Sequence, residues 1–369
     1  MRLNPQSEAT RYYSERMSQT MDSRPAPDAD KRLADLHQWL SGLAPELGLV
    51  PQTLRPASSD ASFRRYFRID CSSGTAIVMD APPQHEDCRP FIKIGERLRN
   101  AGLTVPEVLA QDLDQGFLLL TDLGTHTYFQ ALREGVDLAG LHVLYRPALH
   151  ALVRMQQAPV DGLPRYDATR LYEELGVFRE WYVEKYCNAT LTPQEEETLD
   201  ALLGALVADN AAQPTVLVHR DYHSPNLMVP AQEGSEPGII DFQDAVAGPI
   251  TYDIASLVTD ARYTWEEPEQ LDWAIRYWEA ARAAGLPVGE DFAVFHRAYE
   301  WMSLQRNLRI LGVFVRLSQR DGKHHYLDHL PRVQGYVRQV ASRYNTLRPL
   351  LKLLDRIEGV QPTVPYGLQ

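Results

Sequence analysis

The hydrophobic pattern of this chain of 369 residues changes character near residue 124. Between Gln52 and Leu120 it consists of short β-rich runs, which turn-forming residues separate. After residue 124 apolar side chains recur every three or four positions, as between Leu199 and Val207, which is typical of helices that bury one face. The sequence therefore predicts an α+β protein with two lobes, a small β-rich N-lobe over residues 29–120 and a larger α-rich C-lobe over residues 121–369.

The N-lobe carries two helical segments beside its β-rich runs. A helical period begins at Asp30 and ends near Gly48, and we expect this helix to cover the lobe. The β-rich runs predict a small antiparallel sheet, with a second helix at about 89–100 packed on it. The preceding residues, 1–28, are polar and show no sustained apolar period, so they are predicted to be a mobile segment without chemistry.

Only three runs of the C-lobe look extended, at 215–219, 227–229 and 238–240. The last two are joined by a turn-rich stretch and are expected to form a hairpin. No internal repeat or low-complexity tract is found in the sequence. The C-lobe is therefore expected to be a helical body that carries one short hairpin.

The charge balance narrows the range of partners. The chain has 37 Lys plus Arg against 49 Asp plus Glu, a net charge of -12, and no Lys/Arg cluster offsets this acidity, so neither nucleic acid nor a membrane is a predicted partner. Its longest apolar stretches fall short of the roughly 20 residues that a membrane helix needs. Three cysteines, odd in number and far apart, fit neither a disulfide framework nor a zinc site, which favours a cytoplasmic protein.

Chemically active side chains are concentrated in the segment His-Arg-Asp-Tyr-His-Ser-Pro-Asn at residues 219–226, and Asp241 follows fifteen residues after Asn226. Phosphoryl transfer from a nucleotide needs a carboxylate that orients and deprotonates the acceptor hydroxyl, and oxygen ligands for the Mg²⁺ on the phosphates. Asp221 suits the first role, and Asn226 with Asp241 suits the second. The alternative is a purely structural role, in which these residues only cap turns and hydrogen-bond to the backbone groups of the hairpin.

Neighbours of this segment have predicted supporting roles. His219 is interpreted as a structural residue packed under the loop. Asp253 lies at a predicted helix start and is predicted to anchor the loop by accepting its backbone N–H groups. Tyr222 and His223 lie in the stretch where an acceptor would bind, so both are candidate substrate contacts, although a packed or capped side chain is the alternative for each.

The segment at 219–226 fits the kinase catalytic-loop pattern H-R-D-x-x-x-x-N, and Asp241-Phe242-Gln243 resembles the metal-binding D-F-G. His223 and the later run Gly248–Ala255 are similar to the aminoglycoside phosphotransferase family, whose members phosphorylate small molecules. The resemblance covers roughly residues 30–360. It implies a two-lobed protein-kinase-like fold with ATP and Mg²⁺ as cofactors, a nucleotide-binding N-lobe, and a C-lobe that holds the catalytic residues and the acceptor.

Two further segments resemble one branch of this family, the bacterial amino-sugar kinases of cell-wall recycling. They are Ser59–Arg68 and Gln305–Phe314, with similarity continuing to Lys323. This resemblance implies that the acceptor is a small amino sugar and that its anomeric hydroxyl receives the phosphoryl group. Glu300, Trp301 and Arg306 are then candidate acceptor contacts, because an indole suits a sugar face and a guanidinium suits a carboxylate. Helix packing is the alternative for these three residues.

The nucleotide side departs from the usual kinase pattern. Ser59, Asp60 and Ser62 stand where a glycine-rich phosphate loop is expected, and small hydroxyl residues can still let backbone N–H groups approach phosphates. Met79 lies near the place of the lysine that usually pairs with the phosphates. Either Arg65 or a neighbouring arginine supplies that charge, or the phosphates rely on metal and backbone.

The run from Phe117 to Leu123 resembles the hinge that receives the adenine, which makes Leu120 and Asp122 candidate cofactor-binding residues. A buried strand and turn is the alternative. Two other functions remain open at this point: a kinase of the same fold acting on an aminoglycoside, choline or homoserine, and a catalytically silent relative that serves as a binding module. The joint presence of Asp221, Asn226 and Asp241 argues against the silent relative.

Overall fold

The computed structural model describes residues 27–58, 63–263 and 265–360. Most of the predicted mobile segment at 1–28 therefore lies outside the described residues, as do Ser59, Asp60 and Ser62. The described chain divides into two compact units. The sheet unit contains the described residues up to Lys93 together with Pro106–Leu123, and the helical unit contains Ile94–Val105 and the described residues from Gly124 onward. Among the described helices, none is long and apolar enough to cross a membrane.

The sheet unit is built on five antiparallel strands in the order β1-β2-β3-β5-β4. Their bounds are β1 Leu49–Ser58, β2 Arg65–Cys71, β3 Gly74–Asp80, β4 Val108–Asp112 and β5 Phe117–Thr121. Helix α1 (Pro27–Leu47) packs Leu36 and Leu40 against a core formed by these strands, and helix α2 spans Arg89–Asn100. The predicted antiparallel sheet and its covering helix are thereby confirmed.

Strand β1 was not predicted as a strand from the sequence, because two prolines interrupt it. It holds Pro51 and Pro56, and its pairing with β2 shows register shifts between Val50 and Arg55 and between Pro56 and Ser58. Proline cannot donate a ladder hydrogen bond, so it is tolerated at an edge strand and at bulges. The position of β1 at the edge of the sheet gives both prolines such a place.

The helical unit contains most of the remaining elements. In chain order its helices are α3 Tyr128–Arg133, α4 Leu138–Gln156, α5 Ala168–Val177, a π-helix Phe178–Tyr186, α6 Pro193–Ala211, α7 Tyr252–Val258, α8 Glu267–Ala283, α9 Phe292–Gln319, α10 Leu330–Arg343 and α11 Arg348–Ile357. Short 3-10 turns cover Ser224–Asn226, His324–His329 and Asn345–Leu347. Two antiparallel strand pairs interrupt the helices, β6 (Thr215–Val218) with β9 (Val246–Pro249), and β7 (Leu227–Met228) with β8 (Gly238–Ile239).

Helix α9 is the central helix of this unit. It packs against α5, α6, α7, α10 and the π-helix, and most of its residues from Tyr299 to Val315 are buried. Gly312 permits the closest of these contacts, since a Cβ built there would lie 2.2 Å from the carbonyl oxygen of Val177. A glycine at this helical position therefore lets α9 approach the backbone where α5 ends.

Candidate active site

The fold brings the two ends of the predicted motif together. Segment 219–226 leaves the end of β6, and the pairing of Leu227 with Ile239 in β7 and β8 confirms the predicted hairpin. The Ile240 N–H donates a hydrogen bond of 3.1 Å to the carbonyl oxygen of Asn226. Asp241 follows Ile240 directly, so its backbone lies beside the end of the 219–226 segment.

Asp253 fixes the backbone at the start of this segment through two hydrogen bonds. It lies in the first turn of α7 and is fully buried. Its Oδ2 accepts the N–H of His219 at 2.7 Å, and its Oδ1 accepts the N–H of Arg220 at 3.0 Å. Burial raises the pKa of Asp253 to about 7, against the two backbone donors, which lower it. Since both carboxylate oxygens accept backbone N–H groups, Asp253 positions the loop.

Arg220 takes a backbone conformation that favours glycine. Its φ is 76°, and Asp241 has a φ of 64°. Left-handed conformations of non-glycine residues are unfavourable by about 1–3 kcal/mol each, and they persist where the surroundings fix them. Here the bond from the Arg220 N–H to Asp253 supplies one such restraint. Both strained residues immediately adjoin or belong to the predicted catalytic set.

His219 is buried, and its ring bridges two backbone groups. Its Nε2 lies 3.1 Å from the carbonyl oxygen of Ile240, and its Nδ1 accepts the N–H of Asp221 at 3.3 Å. Burial lowers its pKa to about 4, so the ring is neutral near pH 7. A neutral ring with its proton on Nε2 satisfies both contacts.

The carboxylate of Asp221 accepts no hydrogen bond from any described residue, although the group is only partly exposed. Desolvation raises its pKa, but four basic neighbours outweigh this effect and lower it to about 2; they are His223, Arg309, Arg220 and Arg306. The side chain is therefore ionised at any pH near neutrality. An ionised carboxylate without an internal donor is available to accept a hydrogen bond from a substrate hydroxyl.

Glu174 on α5 connects two of these arginines. Its Oε1 accepts Arg220 Nη2 at 2.6 Å, its Oε2 accepts Arg309 Nε at 3.0 Å, and it also accepts the Tyr166 hydroxyl. Desolvation raises the pKa of Glu174, but Arg309 and Arg220 outweigh that and lower it. One carboxylate thus holds two guanidinium groups, which leaves a positive charge beside Asp221.

Asn226 and Asp241 are adjacent side chains. Asn226 Nδ2 donates to the Asp221 carbonyl oxygen at 2.9 Å and lies 3.4 Å from Asp241 Oδ2. Gln243 Nε2 donates to Asp241 Oδ1 at 2.7 Å. Because the amide nitrogen of Asn226 is directed to the backbone of Asp221, the amide oxygen is left to act as a ligand. An amide oxygen beside a carboxylate is a donor set that fits Mg²⁺.

His223 and Ser224 are braced by the end of α7. Ser224 donates its N–H to Asp260 Oδ2 at 3.0 Å, and Arg262 Nη1 donates to His223 Nδ1 at 3.1 Å. Burial holds the pKa of His223 well below its ordinary value, although the Asp260 carboxylate opposes this. His223 Nε2 lies 3.2 Å from Asn226 Nδ2, so the neutral ring adjoins the proposed metal ligand.

Two predicted acceptor contacts, Tyr222 and Glu300, are packed in the helical unit instead. Tyr222 is fully buried, and its hydroxyl donates to the Ala148 carbonyl oxygen at 2.8 Å. Glu300 is buried against Arg343 and Tyr344. We therefore assign Tyr222 and Glu300 to packing, in place of the predicted contact with an acceptor, because their polar atoms already have internal partners.

Trp301 also differs from the prediction. Its ring lies edge-on to Tyr344 with centroids 6.2 Å apart, and the Arg297 guanidinium lies 4.1 Å from its centroid. The side chain is buried, so the helix-packing alternative holds for Trp301. Arg306, five residues further along α9, is the remaining predicted contact on this helix and lies within electrostatic reach of Asp221.

The predicted cofactor-binding residues of the sheet unit that are described carry internal contacts. Arg65 donates Nε to Asp80 Oδ2 at 2.8 Å, and Arg68 Nη2 donates to Asp122 Oδ1 at 3.0 Å. The Thr75 hydroxyl also donates to Asp122, at 2.7 Å. Leu120 is a buried residue of β5. Arg65 donates two of the five N–H groups of its guanidinium to Asp80, so the remaining N–H groups can donate to a phosphate.

Four residues of the site escaped the sequence-based prediction: Glu174, Arg309, Asp260 and Arg262. Arg309 had a detectable signal, because it follows Arg306 by three positions in a helical period and residues at that spacing share a face. Glu174 had none, since it is separated from Arg309 by 135 residues and ionic residues on a helix are usually exposed.

A β-rich unit, a helical unit and a loop that aligns Asp221, Asn226 and Asp241 define the class of kinase-like phosphotransferases. The model of the "Phosphotransferase enzyme family" matches residues 53–292 of this chain. The chain belongs to that family, and the predicted fold class is confirmed.

Relatives of this chain carry the name of one particular kinase. The chain is 42% identical over 341 residues to an N-acetylmuramate/N-acetylglucosamine kinase of Pseudomonas putida, which covers 90% of this chain and 98% of the relative. A kinase of the same name from Pseudomonas aeruginosa is 42% identical over 333 residues, covering 88% and 96%. Among solved structures, an ADP-bound aminoglycoside phosphotransferase matches with a TM-score of 0.54 at 12% identity, covering 81% of this chain and 97% of that one.

Proposed function

We propose that this protein transfers the γ-phosphoryl group of ATP to the anomeric hydroxyl of N-acetylmuramate or N-acetylglucosamine, giving the sugar 1-phosphate. The relatives named for these two sugars support the acceptor. The single observation that carries the mechanism is the Asp221 carboxylate, which accepts no hydrogen bond from the described residues and stands beside Asn226 and Asp241. We expect the reaction to occur in the cytoplasm, where ATP is supplied.

Asp221 orients the acceptor and receives its proton. As the anomeric oxygen bonds to the γ-phosphorus, the bond from that phosphorus to the β,γ-bridging oxygen breaks and ADP leaves. The proton of the anomeric hydroxyl passes to the Asp221 carboxylate and then to water. A carboxyl pKa of about 2 makes Asp221 a weak base, so its effect comes mainly from position. The anomeric hydroxyl of a reducing sugar is more acidic than a simple alcohol, which reduces the demand on the base.

Asn226 and Asp241 would hold Mg²⁺ through the amide oxygen of Asn226 and the carboxylate of Asp241. When bound, the ion neutralises charge on the β- and γ-phosphates. Gln243 orients the Asp241 carboxylate, and the Asp221 carbonyl oxygen fixes the Asn226 amide. His219 and Asp253 maintain the loop backbone, and His223 adjoins Asn226.

The nucleotide is proposed to bind through residues of the sheet unit. The candidates are Ser59, Asp60 and Ser62 for the phosphates, with Arg65 as the cation, and the backbone near Leu120 and Asp122 for the adenine. Arg68 and Thr75 hold the Asp122 side chain, which leaves backbone groups rather than this carboxylate as the adenine contact.

Product analysis tests this function. The purified chain is incubated with ATP and Mg²⁺ and, separately, with N-acetylmuramate, N-acetylglucosamine, an aminoglycoside, choline and homoserine. We expect ADP release only with the two amino sugars, and a phosphorus-to-proton NMR correlation that joins the new phosphate to H1. Turnover of another acceptor alone, or a phosphate on a different hydroxyl, would overturn the proposal.

A further inference from the structure

Arg306 on α9 is a buried cation that the mechanism above does not use. Only 4% of its surface is exposed. Its Nε and Nη1 are buried, and within the described ranges they have no hydrogen-bond partner. Withdrawing a guanidinium from water without acceptors for its N–H groups is strongly unfavourable, so such a residue indicates that a ligand supplies them.

The neighbouring turns of α9 fix where Arg306 lies. Three residues before it, Ser303 donates to the Thr259 hydroxyl at the end of α7, at 3.2 Å. Three residues after it, Arg309 binds Glu174, which also holds Arg220. Residues at this spacing share one face of a helix, so Arg306 lies on the α9 face that is anchored to both sides of the 219–226 loop.

The charges around Arg306 belong to the proposed active site. Its guanidinium is within electrostatic reach of Asp221, His223 and Asp253. His223 accepts a hydrogen bond from Arg262 through Nδ1, and Asp253 accepts the loop backbone through both carboxylate oxygens. The charged side chains of this group without a hydrogen-bond partner among the described residues are Asp221 and Arg306, one an acceptor and the other a donor.

We propose that Arg306 binds the carboxylate of the acceptor sugar, so that it recognises N-acetylmuramate but makes no equivalent contact with N-acetylglucosamine. This inference rests on the proposed amino-sugar kinase function. The two sugars differ at C3, where N-acetylmuramate carries a lactyl ether with a carboxylate and N-acetylglucosamine carries a hydroxyl. The planar guanidinium fork matches a carboxylate with two parallel hydrogen bonds, and the charged pair is strongest where water is excluded.

The first test compares the two sugars in two variants. Arg306→Gln removes the charge and leaves a shorter polar side chain. We expect kcat/KM for N-acetylmuramate to fall on the order of 10²-fold, mainly through KM, and kcat/KM for N-acetylglucosamine to change less than about threefold. Arg297→Gln is the matched control, because Arg297 lies on the same helix and pairs with Asp209 at the surface. It should leave the ratio of the two sugars unchanged.

A second test leaves the protein intact. The primary amide of N-acetylmuramate has the shape of the natural acid without its charge. With the wild-type enzyme it should lose about as much kcat/KM as the acid loses with Arg306→Gln, and the variant should treat acid and amide alike. Such non-additivity is the signature of a direct contact between the two altered groups.

The outcomes separate this inference from the proposed function. If wild-type enzyme phosphorylates neither sugar at C1, the function itself is wrong. If it phosphorylates both, but Arg306→Gln loses the same factor on each, Arg306 acts on the transferred phosphoryl group and the inference fails. It also fails if the wild-type enzyme uses the amide as well as the acid.

Discussion

The arginines of the two compact units are satisfied in different ways. In the sheet unit each arginine of the segment 64–68 has a carboxylate partner; the pairs are Arg64–Glu86, Arg65–Asp80 and Arg68–Asp122. In the helical unit two arginines share Glu174, and Arg306 has no hydrogen-bonding partner in the described part of the chain. Each of these arginines of the sheet unit thus has a carboxylate partner, whereas Arg306 of the helical unit is buried with N–H donors that no described residue accepts.

This difference bears on stability and on binding. A guanidinium with its own carboxylate contributes to the fold, and removing either partner leaves a buried charge uncompensated. A buried guanidinium without an acceptor destabilises the folded state, and it gains a hydrogen-bond partner only when a ligand binds. Mutations at the two kinds of arginine site should therefore differ in how much they lower the free energy of unfolding.

The difference is tested most directly by comparing the unfolding free energies of Asp80→Asn and Arg306→Gln. Asp80 is fully buried and accepts from both Arg32 and Arg65. Its neutralisation should lower the free energy of unfolding by about 2–4 kcal/mol, whereas Arg306→Gln should change it by less than about 1 kcal/mol. Denaturant unfolding of each variant measures both values. A larger loss with Arg306→Gln than with Asp80→Asn would break the contrast.

Gly312→Ala tests the framework that presents Arg306 and Arg309. The added methyl would meet the backbone of Val177 and Phe178 at 2.2–2.7 Å, so α9 must move away from α5. We expect a loss of about 1–3 kcal/mol of unfolding free energy and a weaker contact between Arg309 and Glu174. Gly335→Ala on α10 is the control, since its Cβ meets nothing within 4 Å, and it should be neutral or stabilising by up to about 1 kcal/mol. Equal effects would refute the close approach.

The pH dependence of stability probes the neutral histidine under the loop. Burial lowers the pKa of His219 to about 4 in the folded chain, below about 6.5 for the unfolded one, so the unfolded state binds the proton more readily. Its contribution is fully present above pH 6.5 and is lost as the pH falls towards 4. From pH 6.5 to 5.5 the wild-type chain should lose about 1 kcal/mol more than His219→Gln does.

The exposed His150 provides the reference for that measurement. His150→Gln is the reference for the loss of one histidine from the surface. If His219→Gln changes the slope of unfolding free energy against pH no more than His150→Gln does, the His219 ring is protonated in the folded protein, and its assignment as a neutral bridge between Ile240 and Asp221 is wrong.

Short-range patterns predicted most of the fold. The helix that covers the sheet, the strands β2, β3, β4 and β5, and the hairpin after Asn226 all follow from hydrophobic period and turn residues. Strand β1 was missed because its prolines mask its pattern, and its pairing with β2 is a long-range property that no local window contains.

The site was predictable where its residues form a motif. Asp221, Asn226 and Asp241 lie within 21 residues of one another, and the loop between them is short. Tyr222 was misassigned because a loop sequence does not specify which way a side chain points, and this one points into the core. Glu174 and Asp260 could not be found, since each acquires its role only when distant helices pack together.

The rate of Asp221→Asn at saturating ATP and N-acetylglucosamine tests the central claim most directly. Asparagine preserves the shape of the side chain and removes its ability to accept the proton, so kcat of the folded variant should fall by about 10²- to 10⁴-fold. Asp272→Asn, which alters a surface ion pair with Arg276, should keep the wild-type rate. A wild-type kcat in Asp221→Asn would contradict the account, because phosphoryl transfer would then proceed without the carboxylate on which the mechanism depends.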